Sequence, residues 1–483
     1  NNAAVVTAAV QNIGKFAGKE TVQLYYSAPD GKLKKPLREL GAYQKTEELL
    51  PGETETVTLT LPLENMASWD AENDCWLLEK GDYVLYLGSD PVGVIALDAS
   101  VRSASLSHAG GEADFADWTP STVRTALTNI KRIAVEASSL NGFDLFERER
   151  TPYDRFDPVD LSAFTDRELA TVCAGKHTEG QVSSFIGNAA ARLAGGAGES
   201  AVVTEKGFGA ILMADGPAGL RIATKYVETE NGQEGLDAGG LDNYIALLPD
   251  YLQQLIHAQQ LKREELMKTH PTLYHYAAAI PIGTALAQAW NPKVPEACGD
   301  LVGTEMELFG ANVWLAPALN IQRSPLCGRN FEYYSEDPIV SGVTAAAVTR
   351  GVQKHKKCAV TIKHFACNNQ EYNRFGSNSI VSQRALREIY LKGFELCIKT
   401  AAPKTIMSSY NLLNGTHTAN RKDLLTDILR KDWGFGGFVM TDWGTTSDGF
   451  NLGAHGCSSA AGCIAAGNDL VMPGTEADVN GML

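Results

Sequence analysis

Apolar and polar positions alternate with a period of two through much of the first hundred residues. In Thr56-Val57-Thr58-Leu59-Thr60-Leu61 the side chains of Val57, Leu59 and Leu61 fall on one face of an extended segment. Residues 3–10, 21–26, 76–78 and 83–88 carry similar runs, and Asn12-Ile13-Gly14, Leu50-Pro51-Gly52 and Gly81 interrupt them. Short strands broken by Gly and Pro turns predict a β-sandwich. No catalytic set is visible there; Lys32, Lys34 and Lys35 read as the solvated face of a loop.

The pattern changes after residue 105. Residues 106–160 mix Ser, Ala, Gly and charge and read as a linker, with helix formers over 123–137 and a surface turn at Arg148–Pro152. From residue 161 apolar runs alternate with longer helical stretches, beginning with a capping box at Thr165 and Glu168. The candidate strands are 209–214, 279–282, 311–315, 359–362, 405–408, 438–440 and 469–472, with amphipathic helices at 382–400 and 421–431. Strand–helix alternation of this kind predicts a parallel sheet closed as an α/β, TIM-like (β/α) barrel over 161–483. Seven candidates are one short of the eight that closure needs, which leaves either an incomplete barrel or a chain that ends before its last unit. Residues 224–278 read as an insertion after the first strand, polar and Gly-rich at first, then helical from 241 to 269.

Composition narrows the class. A chain of 483 residues exceeds what one core organises, so two or three domains are expected. A formal net charge of −15 argues against a nucleic-acid or anionic-membrane partner, both of which need basic surface. The 9 cysteines lack Cys-x-x-Cys spacing, and Cys457 and Cys463, the nearest pair, have no companions for a metal site. His270 and His275 are five apart, which does not place them on one helix face, so no metal and no cofactor is implied. Scattered cysteines, no long apolar span and no secretory signal predict a cytoplasmic protein, although the start at Asn1 reads as a trimmed end.

The candidate strands end in polar residues of complementary kinds. The first runs into Asp215-Gly216-Pro217-Ala218-Gly219-Leu220-Arg221. The third leads to Gly328-Arg329-Asn330-Phe331-Glu332 and Ser335-Glu336-Asp337-Pro338. The fourth ends in Lys363-His364-Phe365, the fifth in Ser408-Ser409-Tyr410-Asn411, and the sixth in Thr441-Asp442-Trp443. Carboxylate, guanidinium, ammonium, imidazole and phenol aimed at one rim suit a polyhydroxylated ligand, which needs both donors and acceptors. Phosphate is a poorer fit, because Gly195-Gly196-Ala197-Gly198 lacks a preceding strand and reads as a loop.

These motifs, in this order, resemble the barrel domain of family 3 glycoside hydrolases of the β-glucosidase kind. Gly18–Tyr26 with Lys35-Pro36-Leu37-Arg38-Glu39-Leu40 is similar to the fibronectin type III-like domain attached to that family, here over 1–105. The resemblance implies that Asp442 is the nucleophile and that Asp215, Arg329, Lys363 and His364 hold sugar hydroxyls. It places Tyr410 beside the nucleophile and Trp443 on the aglycone side. The sandwich precedes the barrel, as in the family's inverted arrangement, where an α/β sandwich comes first. The Pro-Gly-His run of the N-acetylglucosaminidase branch is replaced by Ala366-Cys367-Asn368-Asn369-Gln370-Glu371.

Retaining hydrolysis needs a second carboxyl as acid/base. The resemblance puts it on the α/β sandwich, so the chain is expected to be a fragment, or one chain of a two-chain enzyme. Glu332, Glu336 and Glu371 are the in-chain candidates, the first two reading as structural or substrate-positioning. Lys363, Arg329 and a protonated His364 are expected to keep Asp442 ionised. The resemblance implies a β-glucoside or oligosaccharide substrate, with β-xylosidase activity as the alternative specificity. A non-catalytic carbohydrate-binding or regulatory chain is the competing reading. It predicts sugar affinity without hydrolysis, and a homo-oligomer stays open.

Overall fold

The computed structural model describes residues 2–110, 115, 130–140, 142–176, 190–236, 245–247, 250–446 and 458–483. Nine strands form most of the sandwich: β1 (Ala3–Gln11), β2 (Thr21–Ser27), β3 (Glu39–Lys45), β4 (Thr54–Pro62), β5 (Ser68–Asp70), β6 (Cys75–Leu78), β7 (Gly81–Leu87), β8 (Asp90–Leu97) and β9 (Val101–Arg102). Val57, Leu59 and Leu61 are buried on one face of β4, while Thr58 and Thr60 face solvent, as the alternation requires. Trp69 and Trp76 meet edge to face in the core at 5.4 Å. A tenth strand, β10 (Arg132–Val135), pairs in parallel with the edge strand β8. Within the helix expected over 123–137, Arg132–Val135 are therefore a strand, and 123–129 lie outside the described residues. Ile133 and Val135 are β-branched and find a free sheet edge, which outweighs the local helix formers.

The linker does more than connect. The Ser107 amide and hydroxyl donate to Asp432, and Lys399 of the helix Lys392–Ala401 donates to Asp144 at 2.7 Å and to the Leu145 carbonyl at 2.9 Å. The Thr165–Glu168 capping box opens the helix Asp166–Val172 as expected.

The second sheet runs β11 (Gly198–Glu199), β12 (Leu212–Ala214), β16 (Val313–Trp314), β17 (Ala359–Phe365), β19 (Thr405–Ser408) and β22 (Phe438–Met440), all parallel from β12 onward. Single bridges complete it: Met440 pairs with Leu470, Val471 with Ala174, and Gly175 with Ser200 next to β11. The pairings thus return to β11 and β12, and the ring closes on eight segments. Met213, Val313, Met407, Met440 and Leu470, drawn from around the ring, pack into one interior cluster.

Two expectations about the staves change. Residues 279–282 are not in the sheet; Pro281 has no N–H for a central ladder, and the segment leads into the helix Gly283–Gln288. The glycine stretch read as a loop contributes β11 instead, and Ala174-Gly175 forms another stave. Neither carries an apolar run. A Cβ on Gly198 would collide with Met472 and press on Trp443, so the small residue is what lets this stave sit against the interior.

The insertion holds a hairpin, β13 (Lys225–Thr229) with β14 (Gly232–Gly235), joined by β15 (Leu273–Tyr274) and the helix Asp250–Thr269. His275 is buried, hydrogen-bonded to the Ala223 carbonyl and stacked on Tyr226. A small sheet, β18 (Asn378–Ser379) with β20 (Leu412–Leu413) and β21 (Thr416–His417), lies beyond β17. No described helix is long and apolar enough to cross a membrane.

Gly437 governs how β22 enters the ring. A Cβ there would drive into the Lys404 carbonyl just before β19. Gly437→Ala is expected to destabilise the barrel by about 1–3 kcal/mol, through displacement of β22. Thermal unfolding of the variant beside wild type measures it.

Candidate active site

The turn after β12 is built on glycine. Gly216 and Gly219 have φ of +115° and +112°, and a Cβ on either would strike backbone. The turn brings Arg221 back onto Asp215, whose Oδ2 accepts from Arg221 at 2.7 Å and whose Oδ1 accepts from Lys363 Nζ at 3.0 Å. Burial raises the Asp215 carboxyl, but Lys363 and Arg221 outweigh it and hold it down at about 2. Lys363 is itself buried at the end of β17, so this carboxylate compensates its charge.

His364 follows it and is almost fully enclosed. Asn320 clamps its backbone from both sides, accepting its N–H at 2.7 Å and donating to its carbonyl at 2.8 Å. Its Nδ1 lies 3.4 Å from the Tyr333 hydroxyl and its Nε2 lies 3.9 Å from Asp442 Oδ2. Burial, then the charges of Arg329 and Lys363, push the imidazole well below its ordinary range. His364 is therefore neutral at pH 7, and the condition under which it would add positive charge beside Asp442 is not met.

Asp442 is buried just after β22, and the Trp443 N–H donates to its Oδ1 at 2.8 Å. Burial raises its carboxyl, and Arg374, Arg329 and Lys363 oppose that rise. The raise prevails, so burial contributes more than the cations that oppose it. The Tyr410 hydroxyl donates to the Trp443 carbonyl at 2.6 Å, and Trp443 Nε1 donates to the Ala197 carbonyl at 2.9 Å. Trp443 is thus tied to the β11 side of the ring, and Tyr410 to the strand end that carries Asp442.

Arg329 is gripped by Glu332 and lies 3.9 Å from Glu371. Glu371 accepts from Arg374 at 3.0 Å, and the Arg374 guanidinium lies 4.7 Å over the Tyr410 ring. All seven residues singled out in the sequence lie in this linked set around Asp442. Arg374 was missed. It stands in the loop after Lys363-His364-Phe365, off the strand ends to which the search was confined, and Asn368-Asn369-Gln370-Glu371 before it was the available signal. Beside this set, Arg323, Asn369, Tyr372 and Tyr390, with Glu371 of the set itself, help to line a cavity of about 650 Å³.

Among the described residues no group of three or more His, Cys, Asp or Glu is arranged to hold a metal. The geometry brings together a buried carboxylate, a neutral imidazole and three cations.

Residues 265–481 match the glycosyl hydrolase family 3 N-terminal domain, and residues 20–90 match the fibronectin type III-like domain. The chain is 35% identical to β-glucosidase A of Butyrivibrio fibrisolvens, over 98% of this chain and 53% of that protein. It is 32% identical to a β-glucosidase of Ruminococcus albus, over 97% of this chain and 46% of that protein. It superposes on a β-glucosidase crystal structure from Paenibacillus barengoltzii with a TM-score of 0.74 at 32% identity, covering 99% of this chain and 50% of that one. A β-glucosidase 3B from Thermotoga neapolitana, solved with α-D-glucose, superposes with a TM-score of 0.51 at 39% identity over 66% of this chain and 37% of that one. The chain spans about half the length of the curated relatives it matches. By its barrel and the domain that precedes it, the chain belongs to glycosyl hydrolase family 3.

Proposed function

We propose that this chain is the nucleophile-bearing part of a retaining β-glycosidase that removes terminal non-reducing β-linked glucose. The observation that carries the reading is the buried Asp442 carboxylate, faced by Arg374, Arg329 and Lys363 with the neutral His364 imidazole 3.9 Å away. A carboxylate enclosed in this way is poorly solvated, hence reactive, yet still ionisable. Asp442 attacks the anomeric carbon, the C1–O bond to the aglycone breaks, and a glycosyl-aspartate forms that water later cleaves.

Asp215, Lys363, His364 and Arg329 grip the sugar hydroxyls, Tyr410 steadies the strand end carrying the nucleophile, and Trp443 flanks the aglycone. Two relatives named β-glucosidase, and a solved neighbour that holds glucose, support glucose over xylose. The acid/base glutamate comes from a domain or polypeptide beyond these 483 residues. Glu332 and Glu371, the in-chain alternatives, are engaged with Arg329 and Arg374. Glu336 is exposed. We read the compartment as cytoplasmic; no described cysteine is in a disulfide.

A 2,4-dinitrophenyl 2-deoxy-2-fluoro-β-D-glucoside tests the nucleophile. Its leaving group departs without protonation and its fluorine slows the second step, so the adduct accumulates. Peptide mapping is expected to find the sugar on Asp442; a label on another carboxylate overturns the assignment.

A further inference from the structure

The loop after β17 carries an ion-paired, aromatic-stacked cation that the motifs around Asp442 do not include. Glu371 stands between two guanidiniums, at 3.0 Å from Arg374 and 3.9 Å from Arg329, and also accepts from Asn368 at 3.3 Å. Asn368 is buried and hydrogen-bonded to the Tyr333 hydroxyl, so this carboxylate is anchored to the barrel end rather than free on a loop. From that anchor the Arg374 guanidinium reaches over the Tyr410 ring at 4.7 Å and lies 5.1 Å from the Phe375 ring. Phe375 packs against Tyr410 at 4.5 Å, so the phenol is enclosed by the loop. The Tyr410 hydroxyl, in turn, holds the carbonyl of Trp443, the residue next to the nucleophile.

We propose that Arg374, anchored by Glu371 and stacked on Tyr410, is a positioning residue that fixes the strand end carrying Asp442 and adds a positive charge to its surroundings. The inference rests on the reading of Asp442 as the nucleophile.

Groups from several elements surround Asp442. From β17 come Lys363, committed to Asp215, and His364, neutral. From the loop after β16 comes Arg329, committed to Glu332. From the end of β19 comes Tyr410, whose phenol is raised well above its ordinary range by burial and by Asp442 itself, and which therefore stays uncharged. Arg374, itself paired with Glu371, joins Arg329 and Lys363 in opposing the rise of the Asp442 carboxyl. Arginine suits the role because it stays charged when enclosed and its flat face stacks on a ring, which lysine cannot reproduce.

The test uses the same dinitrophenyl fluoroglucoside on the whole chain, with Arg374→Gln, Arg374→Lys and Glu371→Gln beside wild type. Trapping of Asp442 reports the first bond-forming step alone and needs no acid catalyst, so the source of the acid/base does not enter. The pH dependence of the trapping rate is the readout. Arg374→Gln is expected to slow trapping at pH 7 by roughly 10²-fold and to move the acidic limb of the profile up by about one unit, because an opposing charge has been removed. Arg374→Lys is expected to keep the limb within a few tenths of a unit while trapping more slowly, its charge preserved but its stacking lost. Glu371→Gln is expected to fall between them. Equal slowing in Gln and Lys variants with an unmoved limb overturns the proposal and leaves Arg374 a structural residue. If wild type itself labels a carboxylate other than Asp442, it is the nucleophile reading that fails. Circular dichroism of each variant separates misfolding from either result, and for a misfolded Gln variant the lysine and Glu371 profiles decide.

Discussion

Replacing Asp442 with alanine is expected to lower turnover of β-glucosides in the complete enzyme by on the order of 10⁴-fold or more, because no other group can form the covalent intermediate. Added azide is expected to restore part of the rate with a dinitrophenyl glucoside. Azide would enter the space left by the carboxylate, bond to C1 and expel dinitrophenolate, giving the α-glucosyl azide. Turnover undiminished in the alanine variant removes Asp442 from the mechanism.

The isosteric Asp442→Asn variant carries a second expectation of opposite sign for stability. The Asp442 carboxyl is raised by burial despite Arg374, Arg329 and Lys363. Between its ordinary value and the raised one, the folded chain binds more protons than the unfolded chain. Stability therefore falls as pH rises through that window, and above it the folded protein carries the full cost of an ionised nucleophile. Asp442→Asn removes that cost, so its thermal midpoint at pH 7 is expected to be no lower than that of wild type. The difference is expected to shrink as pH falls below the ordinary carboxylate range. A marked loss of stability at pH 7 would mean that the surrounding cations dominate after all.

The other large effect belongs to the seam between sandwich and barrel. Trp69 is fully enclosed, meets Trp76 edge to face, and has the Arg387 guanidinium 4.5 Å over its ring. Its backbone N–H donates to Glu388 at 2.7 Å, so β5 is bonded to the barrel segment that carries both residues. Trp69→Ala is expected to cost about 3–5 kcal/mol, the range for emptying a large buried aromatic site. At a few degrees per kcal/mol for domains of this size, the thermal midpoint should drop by on the order of 10 °C. Arg387 loses its stacking partner in the same change, which should loosen the barrel contact as well as the sandwich. At temperatures well below the transition, trapping of Asp442 should proceed at the wild-type rate, since Trp69 does not touch the mouth residues. An unchanged midpoint would show that the seam contributes little.

The strand ends were legible because their chemistry is local. A polar tripeptide at the end of an apolar run announces itself whatever surrounds it, and Asp215, Lys363, His364 and Asp442 were found that way. The period-two pattern of Thr54–Pro62 likewise placed Val57, Leu59 and Leu61 on the buried face. β11 and the Ala174-Gly175 stave were illegible for the converse reason: small residues pressed against an interior give no hydrophobic period, and only their neighbours make them strands. Arg132–Val135 was misread because the edge of β8 decides its conformation.

The sequence by itself determined the two-part architecture, the order of the strand-end motifs and the identity of the charged groups, since each follows from patterns within a few residues. Only the tertiary structure decided that eight segments close the ring, that His364 is neutral, and that Arg374 faces Asp442 from a loop. Closure depends on the pairing of Ala174 with Val471, from opposite ends of the barrel sequence. Charge states depend on burial and on distances across the mouth, and neither quantity is carried by any single stretch of chain.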